Sequence, residues 1–177
     1  MRRVNLIRFA ALFLAASARL FSPASAADFR AAEEFVLKTD ETIDDDLYVC
    51  AKTIRTDGTV DGDVIGWAQE ITINGTVKGS LIVGGQTVVL NGSATSARLG
   101  GQVIKLGPKA RLEGDLLACG QSLECEKEST IGGDLVFAGQ QALLAGQVSD
   151  DVRGAAMNCR LAGEIGGDVL LKISGNK

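Results

Sequence analysis

The chain has no histidine among its 177 residues. That removes the side chain best suited to general-base work near neutral pH and the commonest nitrogen ligand for zinc. Histidine-based acyl transfer and histidine-ligated zinc chemistry are therefore excluded. No glycine-rich phosphate loop, nucleophile elbow or CxxC pair occurs either. There is one tryptophan, Trp67, and it stands alone at a corner, so a sugar-stacking platform has little support. No Pro/Ser-rich linker divides the chain, and one domain is the simple count. The longest apolar stretch, Phe9–Ala18, counts ten residues with Ser17 among them, too few to cross a bilayer as a helix.

That run has a different use. Arg2, Arg3 and Arg8 lead into it, and Ala24-Ser25-Ala26 fits an A-x-A cleavage site. Residues 1–26 read as a signal peptide cleaved near Ala26 or Ala27, although Arg19 fits the pattern less well. The mature chain is then exported, to the periplasm or beyond the cell. No cysteine near the junction supports a lipid anchor, and Arg2-Arg3 lacks the surroundings of a twin-arginine signal. Cleavage leaves 14 basic against 22 acidic side chains, a net charge of −8. An acidic chain without a basic stripe is a poor partner for nucleic acid or an anionic membrane.

What the chain has in abundance is repetition. From Glu41 onward one pattern of about 17 residues returns eight times: ETIDDDLYV, GTVDGDVIG, GTVKGSLIV, GSATSARL, ARLEGDLLA, STIGGDLVF, GQVSDDVRG and GEIGGDVLL. The copies start at Glu41, Gly58, Gly75, Gly92, Ala110, Ser129, Gly146 and Gly163. A second landmark follows each start, with Gln69, Gln86, Gln102, Gln121 and Gln140 at its turn. Within a repeat, positions 3, 7, 9, 14 and 16 are apolar in nearly every copy. The steps from 7 to 9 and from 14 to 16 are the alternation of half-buried strands. Gly and Asp at positions 5 and 6, and Gly-Gln near 11 and 12, are turn chemistry. The expected fold is all-β, a solenoid of about eight coils with three short strands each, near positions 2–4, 6–9 and 13–16. A β-sandwich with regular turns is the competing architecture. Coils stacked about 4.8 Å apart would make a rod of roughly 38 Å.

The fourth copy tests the register. Read without a gap, it places Arg98 in the core. One deletion within Ser93–Thr95 instead turns Ala97 and Leu99 inward and Arg98 outward. The extra residues of the next two copies then fall at Gly107–Ala110 and Glu126–Ser129, where Pro108 and the run Glu126, Lys127, Glu128 suit exposed corners. Segment Asp28–Asp40 precedes the first full coil and reads as a short capping helix or as a partial coil through Phe35 and Leu37.

Candidate chemistry is sparse. Position 6 forms a column of Asp46, Asp63, Ser80, Ser96, Asp115, Asp134, Asp151 and Asp168. Stacked carboxylates repel, and a hard cation such as Ca²⁺ would relieve that, with Asp115, Asp134, Asp151 and Asp168 as ligands. The favoured reading is structural: each Asp accepts hydrogen bonds from turn N–H groups beside Gly62, Gly114, Gly133 and Gly167. The expected metal, cofactor and catalytic residues are thus none. A nine-residue calcium-roll period, an aliphatic at every sixth residue and a flat Thr-x-Thr face are all missing. Four cysteines in an exported chain suggest disulfides, but Cys50 and Cys119 lie four coils apart and Cys125 and Cys159 two. Only Cys119–Cys125 falls within one coil, across a corner, and buried free thiols are the preferred reading.

The repeats GTVDGDVIG…ITINGTVKGSLIVGGQTVVLNG resemble those of the bactofilins, the polymer-forming bacterial cytoskeletal family. The resemblance covers roughly Ile43–Ile173. It implies a right-handed, three-sided β-helix that polymerises end to end without a nucleotide and carries no catalytic residues. Typical members are cytoplasmic with disordered tails, whereas this chain reads as exported with almost none. The expected organisation is a signal peptide (1–26), an N-terminal cap or partial coil (27–40), a bactofilin-like β-helix (41–173) and a tail (174–177).

Physics leads to the same place. The ends of a β-helix leave unpaired N–H and C=O groups and a slice of core. The last repeat stops with Val169, Leu171 and Ile173 uncovered, the expected polymer interface, and a head-to-tail contact there does not close on itself. The expected function is a non-enzymatic structural protein that self-assembles, with itself and with cell-wall or envelope components as partners and no integral membrane span. Two alternatives stand beside it: a carbohydrate-active or adhesive β-helix of the envelope, and a piece of a larger membrane protein.

Overall fold

The computed structural model describes residues 28–174, with side chains from residue 32 onward. The signal-peptide reading (1–26) and most of the expected tail lie outside the described residues. Fifteen strands and no helix make up the described chain. In order they are β1 (Asp28–Leu37), β2 (Thr42–Ile43), β3 (Leu47–Thr56), β4 (Thr59–Val60), β5 (Val64–Ile73), β6 (Thr76–Leu90), β7 (Ser93–Leu106) and β8 (Arg111–Leu112). Then follow β9 (Leu116–Cys125), β10 (Thr130–Ile131), β11 (Leu135–Leu144), β12 (Gln147–Val148), β13 (Val152–Ala156), β14 (Asn158–Leu161) and β15 (Val169–Ile173).

Every pairing among them is parallel, and each joins one coil to the next. The long strands stack in the order β1-β3-β5-β6-β7-β9-β11-β13-β15. Position 7 runs up this stack as Leu47, Val64, Leu81, Ala97, Leu116, Leu135, Val152 and Val169 in direct register. The chain is a parallel β-solenoid, and the two-sheet sandwich is excluded.

The register expected for the fourth coil holds. Val77 faces Ala94 and Ser80 faces Ser96, so Thr95 alone stands opposite Lys78 and Gly79. Ala97 and Leu99 are buried and Arg98 is exposed. The extra residues sit at corners closed by backbone bonds three residues apart, Ala110 N–H to Gly107 O at 3.0 Å and Ser129 N–H to Glu126 O at 3.1 Å.

The strands divide differently from the expectation. In most coils the second and third expected strands run on as one, from position 7 to position 16. The corner at positions 10 to 12 is a bend within a continuous ladder: Gly84 and Gly85 pair with Gly100 and Gly101 straight through it. Only the seventh coil breaks there, at Met157 between β13 and β14. The segment before the first coil is a strand, not a capping helix. β1 lies on β3 with Phe35 opposite Ile54 and Leu37 opposite Thr56, and both Phe35 and Leu37 are buried.

One continuous core fills the coils. The five apolar columns are buried through the sixth coil, including position 16, where Ile73, Leu90, Leu106, Cys125 and Leu144 stack on Thr56. The Thr56 hydroxyl is buried there without a hydrogen-bond partner. Position 9 shows how layers compensate: the Phe137 ring occupies the space that a Cβ on Gly154 would need, and Ala118 lies on its other side. Large sits between small, as interdigitated layers require.

Candidate functional site

The aspartate column is a hydrogen-bonded ladder between coils. Asp46 Oδ1 accepts from the Asp63 backbone N–H at 2.7 Å, and Asp63 Oδ1 from the Ser80 N–H at 2.7 Å. Ser96 and Ser80 then meet through their hydroxyls at 3.2 Å. The ladder resumes with Asp115 accepting from Asp134 at 2.9 Å, Asp134 from Asp151 at 3.0 Å and Asp151 from Asp168 at 2.8 Å. The expectation placed donors beside Gly62, Gly114, Gly133 and Gly167; Asp63, Asp134 and Asp168 donate beside three of these, none does beside Gly114, and Asp151 donates beside Asp150. Each donor, however, belongs to the coil above rather than to the Asp's own turn.

At four rungs the glycine beside the donor has a steric basis. A Cβ on Gly62, Gly79, Gly133 or Gly167 would overlap the Oδ1 of Asp46, Asp63, Asp115 or Asp151 below it. Above Ser80 the chain carries Thr95 instead of glycine; above Asp134 it carries Asp150, so a carboxylate beneath does not by itself demand a glycine. Repulsion along the column is offset locally: the Arg153 guanidinium donates to Asp134 Oδ2 at 3.1 Å and to Asp151 Oδ2 at 2.5 Å. Asp115, Asp134 and Asp151 thus have backbone partners, and no group of three or more acidic or cysteine side chains poised to hold a metal occurs among the described residues.

A second polar column runs at the neighbouring corner. Asn91 Nδ2 donates to Asn74 Oδ1 at 3.1 Å, and Asn74 Nδ2 to Asp57 Oδ1 at 2.6 Å. Arg55 caps it, bonding Asp57 Oδ2 at 2.7 Å. The Arg55 bond first, and the Asn74 bond second, hold the Asp57 carboxyl below its ordinary pKa.

The C-terminal end is where the columns surface. Val169 is 44 % exposed, Ile173 50 % and Leu161 40 %, while Leu171 is half-buried against the core. Among the described residues nothing lies on the outer edge of β15 or β14. The three expected interface residues are therefore brought together on one open face. Leu161 belongs to it too, although the repeat pattern assigned it to the core. The missed signal was positional: position 16 is buried only where the next coil supplies a strand above it. Asp168 is the last member of its column, and its carboxylate has no partner among the described residues.

All four thiols are free. Cys119 points outward and Cys125 inward, so the one pairing within a coil is ruled out by direction. Burial pushes the Cys125 thiol up to about 12.

No family model, curated protein or solved structure matches the chain.

Proposed function

We propose that this chain is a non-enzymatic structural protein of the bactofilin kind, exported to the cell envelope and assembling end to end into a polymer or scaffold. The open C-terminal face carries the reading. Val169, Leu171, Ile173 and Leu161 expose core positions on a parallel edge that a further strand layer would complete. Covering that edge removes apolar surface from water and satisfies free backbone groups in one step. The resemblance of the repeats, and a candidate signal peptide at residues 1–26, support polymer formation and export respectively. No helix among the described residues is long and apolar enough to cross a membrane.

Leu171→Glu tests the interface. The substitution puts a carboxylate in the proposed joint, where desolvation opposes it. The mature wild type should elongate in sedimentation and negative-stain images while the variant stays monomeric with an unchanged far-UV spectrum. Identical polymers from both would move the contact to the β1 end or a side. A wild type that is monomeric at all concentrations would remove the polymer reading.

A further inference from the structure

Trp67 is 67 % exposed, the large apolar side chain that sequence alone left without a role. It sits at position 10 of the second coil, in register with Gly84 and Gly100 on the coils above. Its benzo ring occupies the space that a Cβ on Gly84 would need, and a Cβ on Gly100 would meet nothing within 4 Å. The indole therefore rests on a glycine floor that continues open beyond it.

On the corner side of the indole lies a groove of about 450 Å³, lined by Trp67, Lys52, Gln69, Gln86, Gln102 and Gly85. The three glutamines occupy successive coils at one position, about 4.8 Å apart. All three are exposed, and none of their carboxamides has a hydrogen-bond partner among the described residues. Each offers two N–H donors and a carbonyl acceptor. On its other side the indole borders an apolar groove of about 420 Å³ lined by Tyr48, Ile65 and Ile82. An aromatic wall beside a row of unpaired amides is a specific chemical combination. It suits a ligand that is apolar on one face and rich in hydroxyls at its rim, with a repeat close to the coil rise.

We propose that this groove binds a linear β-linked glycan, one sugar ring stacked on Trp67 and the hydroxyl or acetamido groups of successive sugars bonded to Gln69, Gln86 and Gln102. Equatorially substituted pyranoses present such a flat apolar face, and an extended β-linked chain advances by about one coil spacing per sugar. A purely apolar ligand would leave the three amides desolvated without partners. A solitary tryptophan makes a poor platform by itself; the structure sets the recurring Gln69, Gln86 and Gln102 beside it along one groove. The site is independent of the polymer reading, since one protomer contains all of it.

Because Trp67 is the sole tryptophan, its emission reports this groove alone. Titrating the mature Leu171→Glu chain with cellohexaose, and separately with chitohexaose, should give a saturable change in emission with at least one of them. Gln86→Leu should weaken that binding at least tenfold with the emission readout intact. Trp67→Ala should lose retardation in gels containing the soluble polymer of the same sugar, and far-UV spectra would show that both variants fold. No emission change with either oligosaccharide up to millimolar concentration would overturn the proposal. An emission shift that depends on protein concentration alone would also overturn it, and would give the face to a second copy of the chain.

Discussion

The layering at position 9 makes a prediction in which one substitution changes sign with its background. Phe137 is 3 % exposed, and its Cδ1, Cε1 and Cζ atoms fill the volume that a Cβ on Gly154 would take. Phe137→Ala removes the ring from a packed layer and should cost roughly 3–5 kcal/mol. Gly154→Ala in the wild type forces a methyl group into three ring atoms and should cost about 1–3 kcal/mol as overpacking. In the Phe137→Ala background the same methyl enters an empty space, where it should recover about 1 kcal/mol. The double variant should thus be more stable than Phe137→Ala alone, although Gly154→Ala by itself is harmful. The implied coupling, about 2–4 kcal/mol, is the size expected of residues in direct contact. Urea unfolding of the four proteins at monomeric concentrations measures it. Equal cost of Gly154→Ala in both backgrounds would refute the layering, and a loss below about 1 kcal/mol for Phe137→Ala would show that the ring is not core.

Three further outcomes follow from the columns and the thiols. Gly133→Ala should destabilise by about 1–3 kcal/mol because its Cβ meets Asp115 Oδ1 and the Gly114 backbone carbon at 2.9 Å, and Asp115→Ser should relieve the side-chain part of that cost; Gly114→Ala, with only Thr95 O at 3.3 Å, is the mild control in thermal melts. If the aspartate ladder is held by backbone N–H groups, EDTA leaves the Tm unchanged, whereas a rise of many degrees with Ca²⁺ would make Asp115, Asp134, Asp151 and Asp168 ligands after all. Alkylation under native conditions should modify Cys50 and Cys119 first and Cys125 only on unfolding. Because burial raises the Cys125 thiol to about 12, its contribution to stability is complete below the unfolded thiol's pKa and is lost as pH rises from about 9 towards 12. Alkaline melts of Cys125→Ala that lose stability as steeply as the wild type would contradict this.

The stack was legible because its register repeats in sequence. Five apolar positions recurring at 17-residue spacing sufficed to turn Ala97 inward and Arg98 outward across a deletion. The nature of the corner at positions 10 to 12 was not legible, because Gly-Gln is compatible both with a turn and with a bend inside a strand. Only the pairing of Gly84-Gly85 with Gly100-Gly101 distinguishes them. The Asp ladder was half legible: three of the glycines marked donors, but the donors' membership of the next coil is a relation between residues 17 or 19 apart. The exposure of Leu161 was not legible, because it depends on whether an adjacent coil covers position 16 rather than on its own repeat.

The same relation between coils gives the solenoid unlike ends. Every rung of the Asp ladder has its acceptor on the lower coil and its donor on the upper one. At the bottom the ladder is closed locally, since the Asp46 N–H is bonded to Asp45 Oδ1 at 2.8 Å. Asp45 stands at position 5 there and takes the place of the carboxylate that a lower coil would supply. At the top, Asp168 offers a carboxylate with no rung above, beside Val169, Leu171 and Ile173. The N-terminal end is covered along positions 7 to 16 by β1, which buries Phe35 and Leu37, while the C-terminal end leaves Leu161 and Ile173 open. Among the described residues both terminal strands keep an unpaired outer edge, and the ends differ in that Phe35 and Leu37 on β1 are buried whereas Leu161 and Ile173 are exposed. A partner that completed the C-terminal end would bring apolar side chains over Leu171 and a hydrogen-bond donor over Asp168.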